Sequence, residues 1–513
     1  MNKYVLLFLS FCFNFTILMG QNESDFYNDR INFVTKTVNL VDDYDVNNLD
    51  DEDDSPALQK AIDDMTVLAN GGRINIPAGT YYFSNILLKS NVHITIDTEA
   101  IIYPTDPGND KNYVIMNIGK NNEETNNISV RGVDGQYTVD ISKARNPNVR
   151  MFQLINVKNF LIADMHMIDD NTKFSAITMG YSTYKGEYVS SENGVVRDCS
   201  ILKAHYGYGL IQSQALKNTF FKNCWGEGGV TLRLETGLNI MNELQVGGNF
   251  DVYGKNIYCE NGNAALMISP HSVKNGHVEI DGVEAKNTGF AVRIGKGYVT
   301  KYQDSLGITP GYYASTSIVK NVKASYGCTA QVKAKHFKYM PCEEIQWIAS
   351  DYNPDGESYA APAVCNILNT ADGNNNNALG YYDVAISNTE SIGFKHQEKD
   401  VVKEEDVFEN CDQTPPDNDG CDCECKMNGD VTTTPPSATD PVYFVYPNPS
   451  SDKFKIRGDI RDTDQIQVTD SYGRVVAVTP IFYSSRWVVN LVDQPIGIYF
   501  LNINGTIIKL LKN

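Results

Sequence analysis

Apolar and polar positions alternate in short runs near the start of the chain. They include Arg73-Ile74-Asn75-Ile76, Ile86-Leu87-Leu88, Val92-His93-Ile94-Thr95-Ile96 and Ala100-Ile101-Ile102-Tyr103. A period of two predicts short half-buried strands. The stretch just before them keeps a different rhythm. Leu58, Ala61, Ile62, Met65 and Leu68 recur every three or four residues, which predicts a short amphipathic helix. Ser55-Pro56 reads as its N-cap followed by proline at the first helical position, and Gly71-Gly72 stops it.

The alternation then returns with the same punctuation. Ile162-Ala163-Asp164-Met165, Val196-Arg197-Asp198-Cys199, Phe221-Lys222-Asn223-Cys224 and Gly254-Lys255-Asn256-Ile257 each close on Asp or Asn before a turn, and Val278-Glu279-Ile280-Asp281 and Ile318-Val319-Lys320-Asn321 extend the series. Asp198 and Asn223, like Asn256 and Asp281, lie 25 residues apart. Such a repeat fits a coil of three short strands, with neighbouring coils stacked about 4.8 Å above and below. A β-sandwich is the alternative, but it has no need of the same punctuation so many times. The rhythm lapses at 298–313 and at 333–379, the second stretch carrying Cys342, Trp347 and an Asn run at 374–377. These are excursions, either lids over a groove or plain loops. Residues 381–394 fit a last coil. Residues 398–440 are charged, then Pro/Thr-rich, and read as a linker. A second, small all-β unit fills 441–513, with strand-like runs at 453–456, 465–468, 475–478, 487–491 and 498–503.

Composition bounds the picture. With 513 residues, 42% of them hydrophobic, the chain can bury a large core and hold more than one domain. The net charge of −20 argues against a nucleic-acid partner, although eight of the acids fall in the solvated run 42–54. Residues 1–20, with Lys3 and an apolar run to Met19, read as a signal peptide with a mature start near Gln21. Phe11 before Cys12 argues against a lipoprotein site, and no later segment reads as a membrane span. The 11 cysteines suit an oxidising compartment. Cys199, Cys224 and Cys259 sit at equivalent places in strand-like runs and read as buried thiols. Cys342 and Cys365 are candidates for a disulfide. Cys411, Cys421, Cys423 and Cys425 read as linker disulfides rather than a metal site, because Cys-x-Cys spacing suits zinc poorly.

The candidate chemistry lies in residues 228–237, Gly-Gly-Val-Thr-Leu-Arg-Leu-Glu-Thr-Gly. Leu232 and Leu234 alternate with Arg233 and Glu235, so a cation and a carboxylate share one outward strand face. Alone, that is an ordinary surface ion pair. Neighbouring coils add Gln212 and Gln214, Ser269 and His271, and Arg293. Stacked in chain order, Gln212, Arg233, Glu235, His271 and Arg293 would form one outward patch, a groove for an extended polymer with cations suited to an anionic one. Taken singly, His271 fits a hydrogen-bonded structural histidine and Gln212 a ladder residue.

Three resemblances sharpen these expectations. The run DDSPALQKAID, GGRINIPAGTYY, ILLKSNVHITID is similar to the opening of the β-helix in pectin-degrading enzymes and phage tailspikes. It implies a right-handed parallel β-helix over 21–397, pectin-lyase-like, whose N-terminal helix caps the open end. The tail carries Tyr446-Pro447-Asn448-Pro449, Asp470-Ser471-Tyr472-Gly473-Arg474, Gly497-Ile498-Tyr499 and the closing lysines Lys509 and Lys512. These resemble the C-terminal sorting domain of type IX secretion, which implies a small β-sandwich, export across the outer membrane and removal of the tail. A carbohydrate-binding sandwich is the alternative. Finally, TLRLET with its spacings to Gln212 and His271 resembles the iota-carrageenases, glycoside hydrolase family 82, from Asp54 to about Phe394.

That last resemblance implies a secreted, endo-acting, inverting hydrolase of the β-1,4 linkage of a sulfated red-algal galactan. Glu235 matches the general acid, Gln212 and His271 match active-site polar residues, and Arg233 and Arg293 match sulfate-binding cations. It implies no required cofactor, with a structural calcium or a chloride ion admissible, and a monomer whose partners are the polysaccharide and the type IX machinery. One position departs. The expected base is an Asp two residues after the acid, about 6.6 Å along the strand, and Gly237 stands there. Asp281, Glu260 or a water oriented by His271 are the substitutes to consider. A pectin-type hydrolase or lyase, and a carrageenan-binding protein that has lost its base, are the competing functions.

Overall fold

The computed structural model describes residues 22–372 and 378–415, and within the C-terminal segment 443–446, 453–458, 465–470, 473–478, 480–483 and 486–512. The signal-peptide expectation, the Asn run at 374–377 and Cys421, Cys423 and Cys425 lie outside the described residues.

Each alternating run becomes a strand that pairs in parallel with the equivalent run one coil away. One rank begins Lys36–Asn39, Gly72–Ile76, Val92–Asp97, Thr125–Val133 and Val157–Ala163, and ends at Ala385–Ile392. A second begins Gly79–Phe83, Ala100–Pro104, Tyr137–Asp140 and Met165–Ile168. The third passes from Ile86–Leu88 through Tyr113–Ile118 and Val149–Ile155 to Ile177–Tyr184, and ends Phe290–Ile294, Ile367–Asn369 and Val401–Lys403. The chain is a parallel β-helix. Inward residues stack on like residues: Ile74, Ile94, Val130, Ile162, Val196 and Phe221 form one fully buried column. This column is why the period of two was readable.

The Asp/Asn punctuation has a backbone cause. Asp164, Asp198, Asn223, Asn256 and Asn321 all lie in the left-handed region, φ 51° to 62°, which Asn and Asp tolerate better than other non-glycine residues. Their side chains also bridge coils. The Asn223 amide donates to Asp198 at 2.8 Å and the Asn256 amide to Asn223 at 2.9 Å. Asp281 is the exception, because Gly282 takes the left-handed position there (φ 85°).

Helix Ser55–Thr66 buries Leu58, Ala61, Ile62 and Met65 over the end of the solenoid. Its N-terminus differs from the expectation. Ser55 is the first helical residue and Asp54 holds the cap position without a capping hydrogen bond. Asp54 instead accepts from the Tyr82 N–H at 3.1 Å and the Ser55 hydroxyl oxygen from the Ser84 N–H at 2.8 Å, so both residues tie the helix to the first coil.

The second excursion is a structured unit. Ala330–Val332 pairs antiparallel with Tyr359–Ala361, and Val332, Phe337, Ile345 and Val364 join Phe290 in a second apolar core. Cys342 is disulfide-bonded to Cys411, not to Cys365, which is a buried free thiol. Strand Val401–Lys403 and Cys411 lie where the sequence reads as linker. Cys199, Cys224 and Cys259 are buried free thiols. In the C-terminal unit, two antiparallel sheets share a core that includes Phe454, Val468, Val489 and Leu501.

Candidate active site

Strand Ala215–Glu235 covers all three ranks by bending, at Asn223 (φ 51°) and at Gly228 and Gly229 (φ 76° and 60°). A Cβ on Gly228 would lie 2.5 Å from the Ala204 carbonyl oxygen, so the coil closes there only with glycine. Beyond the bend Leu232 and Leu234 are fully buried, and Arg233 and Glu235 take the outer face. On that face Thr178, Gln212, Arg233, Met267 and Arg293 stand in register on successive coils, as the expected stacking requires. Two of these positions hold guanidiniums, two coils and so about 10 Å apart. Glu235 stands beside Ser269 in the neighbouring row. Gln214 is structural, its amide oxygen accepting from the Leu238 N–H at 2.9 Å.

Glu235 is only 8% exposed. Its Oε2 is ion-paired with Arg233, whose other Nη donates to the Gly207 carbonyl and whose guanidinium lies 5.8 Å from the Tyr208 ring centre. Its Oε1 lies 3.1 Å from His271 Nε2. Burial pushes the carboxyl pKa upward, but Arg233, His271 and Arg293 outweigh it and hold the value at about 2. An ionised carboxylate only accepts, so Nε2 carries the hydrogen, and Nδ1 lies 2.8 Å from the Tyr298 hydroxyl.

His271 itself sits in the left-handed region (φ 48°), a strained conformation for a non-glycine residue. Its carbonyl accepts from the N–H groups of Tyr298 and Gly311, at 2.9 and 2.8 Å. The first excursion therefore clamps the outer face that carries Glu235. Its end, fully buried Tyr313, donates to the Leu234 carbonyl at 2.9 Å.

Arg293 donates at 2.5 Å to Asn263 Oδ1, a neutral partner, and lies 5.5 Å from the Phe290 ring centre. Lys335, from the second excursion, stands in the field of Arg233, Arg293 and Glu235. Positive charge thus exceeds negative around Glu235, although the whole chain is at −20. Tyr298 and Lys335 are the contributors that sequence reasoning missed. The only signal for them was that both lie in excursions, beyond the reach of strand periodicity.

At Gly237 the vacant side-chain position is defined by its neighbours. A Cβ there would lie 3.1 Å from His271 Cε1 and Nε2 and 3.6 Å from Glu235 Cδ, so the histidine ring leans into the space an Asp would take. The other two carboxylates considered do not reach it. Glu260 stands in register with Glu227, on the far side of the Gly228–Gly229 bend, and pairs with Lys286 at 2.7 Å. Asp281 lies in the first rank, 3.7 Å from the Lys320 amine and accepting from Asn321. Among the described residues no three His, Cys, Asp or Glu come together as a metal site. Among them, too, no helix is long and apolar enough to cross a membrane.

Known proteins share this fold. An iota-carrageenase of Zobellia galactanivorans is 32% identical over 415 residues, 69% of this chain and 82% of that one. The chain belongs to the iota-carrageenases, glycoside hydrolase family 82. A second family member, from Alteromonas macleodii, is 38% identical over 260 residues, 51% of this chain and about half (53%) of its own length. The solved structure of a 1,3-α-1,4-β-D-galactose-4-sulfate-3,6-anhydro-D-galactose-2-sulfate 4-galactohydrolase matches with TM-score 0.72 at 30% identity, over 77% of this chain and 96% of that one. An iota-carrageenase complexed to iota-carrageenan fragments matches with TM-score 0.71 at 29% identity, over the same shares. Residues 444–512 match the secretion system C-terminal sorting domain, which indicates an extracellular or cell-surface protein. The tail thus completes the family's catalytic β-helix with an export signal.

Proposed function

We propose that this protein is an endo-acting, inverting hydrolase of the β-1,4 linkages of iota-carrageenan, working as a monomer, with Glu235 as general acid. The observation that carries the reading is one buried carboxylate on the outer face of a solenoid, held by Arg233 and His271 and standing in the field of Arg293 and Lys335. The cations suit the sulfate esters of an extended polyanion, which the groove receives along the stacked coils. Gln212, one coil before Arg233, lines the same face. The carboxylate, delivered to the glycosidic oxygen in its protonated form, makes that oxygen a leaving group.

Inversion needs a water on the opposite side of the sugar. With glycine at 237, no carboxylate stands two residues after the acid, and the His271 ring borders the vacant position. A pectate-type lyase would call for an acidic calcium cluster, and cations occupy this face instead. The test is Glu235→Gln, which is nearly isosteric and should lower hydrolysis of iota-carrageenan by a factor on the order of 10²–10⁴ while binding persists. Wild-type turnover in that variant would show that the acid lies elsewhere.

A further inference from the structure

In the free protein both oxygens of Glu235 are taken by N–H donors, Oε2 by Arg233 and Oε1 by His271. A carboxyl held in this way has no hydrogen to deliver, yet a general acid must deliver one. We infer that the sulfate groups of the bound polymer, by neutralising Arg233 and the cations beside it, are what allow Glu235 to take up its proton. This rests on the reading of Glu235 as the acid and adds how that acid is armed.

The groups facing Glu235 come from five segments. Arg233 shares its strand, His271 follows strand Ala264–Ser269, and Arg293 belongs to Phe290–Ile294. Tyr298 and Tyr313 come from the first excursion and Lys335 from the second. Arg233 is tethered to the Gly207 carbonyl and lies beside Tyr208, so the anion must come to the guanidinium. Burial is the largest influence on the Glu235 carboxyl and favours the neutral form; Arg233, the His271 contact and Arg293 oppose it. Once sulfate cancels the charge of Arg233 and Arg293, burial opposes only the His271 contact and the balance moves toward the protonated form.

The proton balance closes. A proton from solvent adds to Oε2 when the sulfated chain binds. It passes to the departing glycosidic oxygen as the C–O bond breaks. The attacking water supplies oxygen to the anomeric carbon and releases its own proton to solvent. Glu235 is then a carboxylate again and pairs with Arg233 as product leaves. Sulfate recognition and acid catalysis are thereby one event, and a desulfated galactan of the same backbone would occupy the groove without arming the acid.

Proton uptake on binding tests this directly. The full-length enzyme is titrated at pH 5 with the limit oligosaccharides of its own iota-carrageenan digest, in two buffers of different ionisation heat. The expected result is net uptake of at least about half a proton per site, absent in Glu235→Gln and absent when the oligosaccharides are first desulfated. No uptake by the wild type overturns the inference. So does equal uptake by Glu235→Gln, which would assign the proton to another group such as His271. If no oligosaccharides form in the digest at all, the hydrolase reading itself fails and this inference falls with it.

Discussion

Replacing Glu235 by Gln removes a charge and keeps a shape, and its cost to stability follows from the site. Burial alone would raise the carboxyl pKa, but Arg233, His271 and Arg293 bring it down from 4.5 to about 2. A carboxyl depressed on folding contributes stability that is complete above its unfolded pKa and is lost as pH falls through the folded one. The depression corresponds to about 3 kcal/mol at pH 7 and to about half of that at pH 3. Glutamine contributes none of it at any pH, and leaves Arg233 without its counter-charge. A loss of about 3 kcal/mol matches the usual effect of breaking a buried ion pair by removing one partner. The solenoid core is large enough for the variant to fold. Urea unfolding of both proteins at pH 7 and pH 3 is the assay, read as the midpoint difference at common slope. Glu235→Gln should be clearly weaker at pH 7, with the difference roughly halved at pH 3. Equal stabilities at pH 7, or a gap that does not shrink in acid, would show that the cations do not hold the carboxyl as described.

Arg293→Ala should raise KM for iota-carrageenan and flatten its salt dependence with little effect on unfolding, because its partner Asn263 is neutral; unchanged KM at low salt would remove the sulfate role. Gly237→Asp places a Cβ 3.1 Å from the His271 ring, so activity should stay level or fall. A gain of roughly tenfold, about 1.4 kcal/mol off the barrier, would instead mark the native protein as an impaired enzyme. Cys342→Ser opens a disulfide that spans 69 residues and should cost about 4 kcal/mol by loop entropy. Differential scanning calorimetry should show the earlier transition, and an unmoved one would contradict the estimate.

The β-helix was legible because its inward positions repeat. Each coil places an apolar residue on the one below, as in the column Ile74 to Phe221, and most bends place Asn, Asp or Gly at the left-handed position. Arg233 and Glu235 were legible because strand geometry alone puts them on one face, and coil register added Gln212 and Arg293. What escaped lies where periodicity carries no information. Tyr298 contacts His271, and Lys335 enters the field of Glu235, from excursions whose destinations depend on tertiary packing. Cys342 finds Cys411 across a segment that reads as linker, and Val401–Lys403 extends the solenoid into the same stretch. Asp54 and Ser55 have the residue types of a helix cap, yet their side chains are taken by Tyr82 and Ser84 of the first coil. In each case a long-range contact won over a local rule.

The most direct measurement is the product of the reaction. Iota-carrageenan is incubated with the full-length protein and followed by proton NMR of the new reducing ends, with ultraviolet absorbance read in parallel. The expected products are saturated oligosaccharides of mixed length whose new reducing ends appear first as the α-anomer, the outcome of inversion at a β-linkage. A β-anomer formed first, an unsaturated absorbing end, or polymer left uncut would each contradict the proposed reaction.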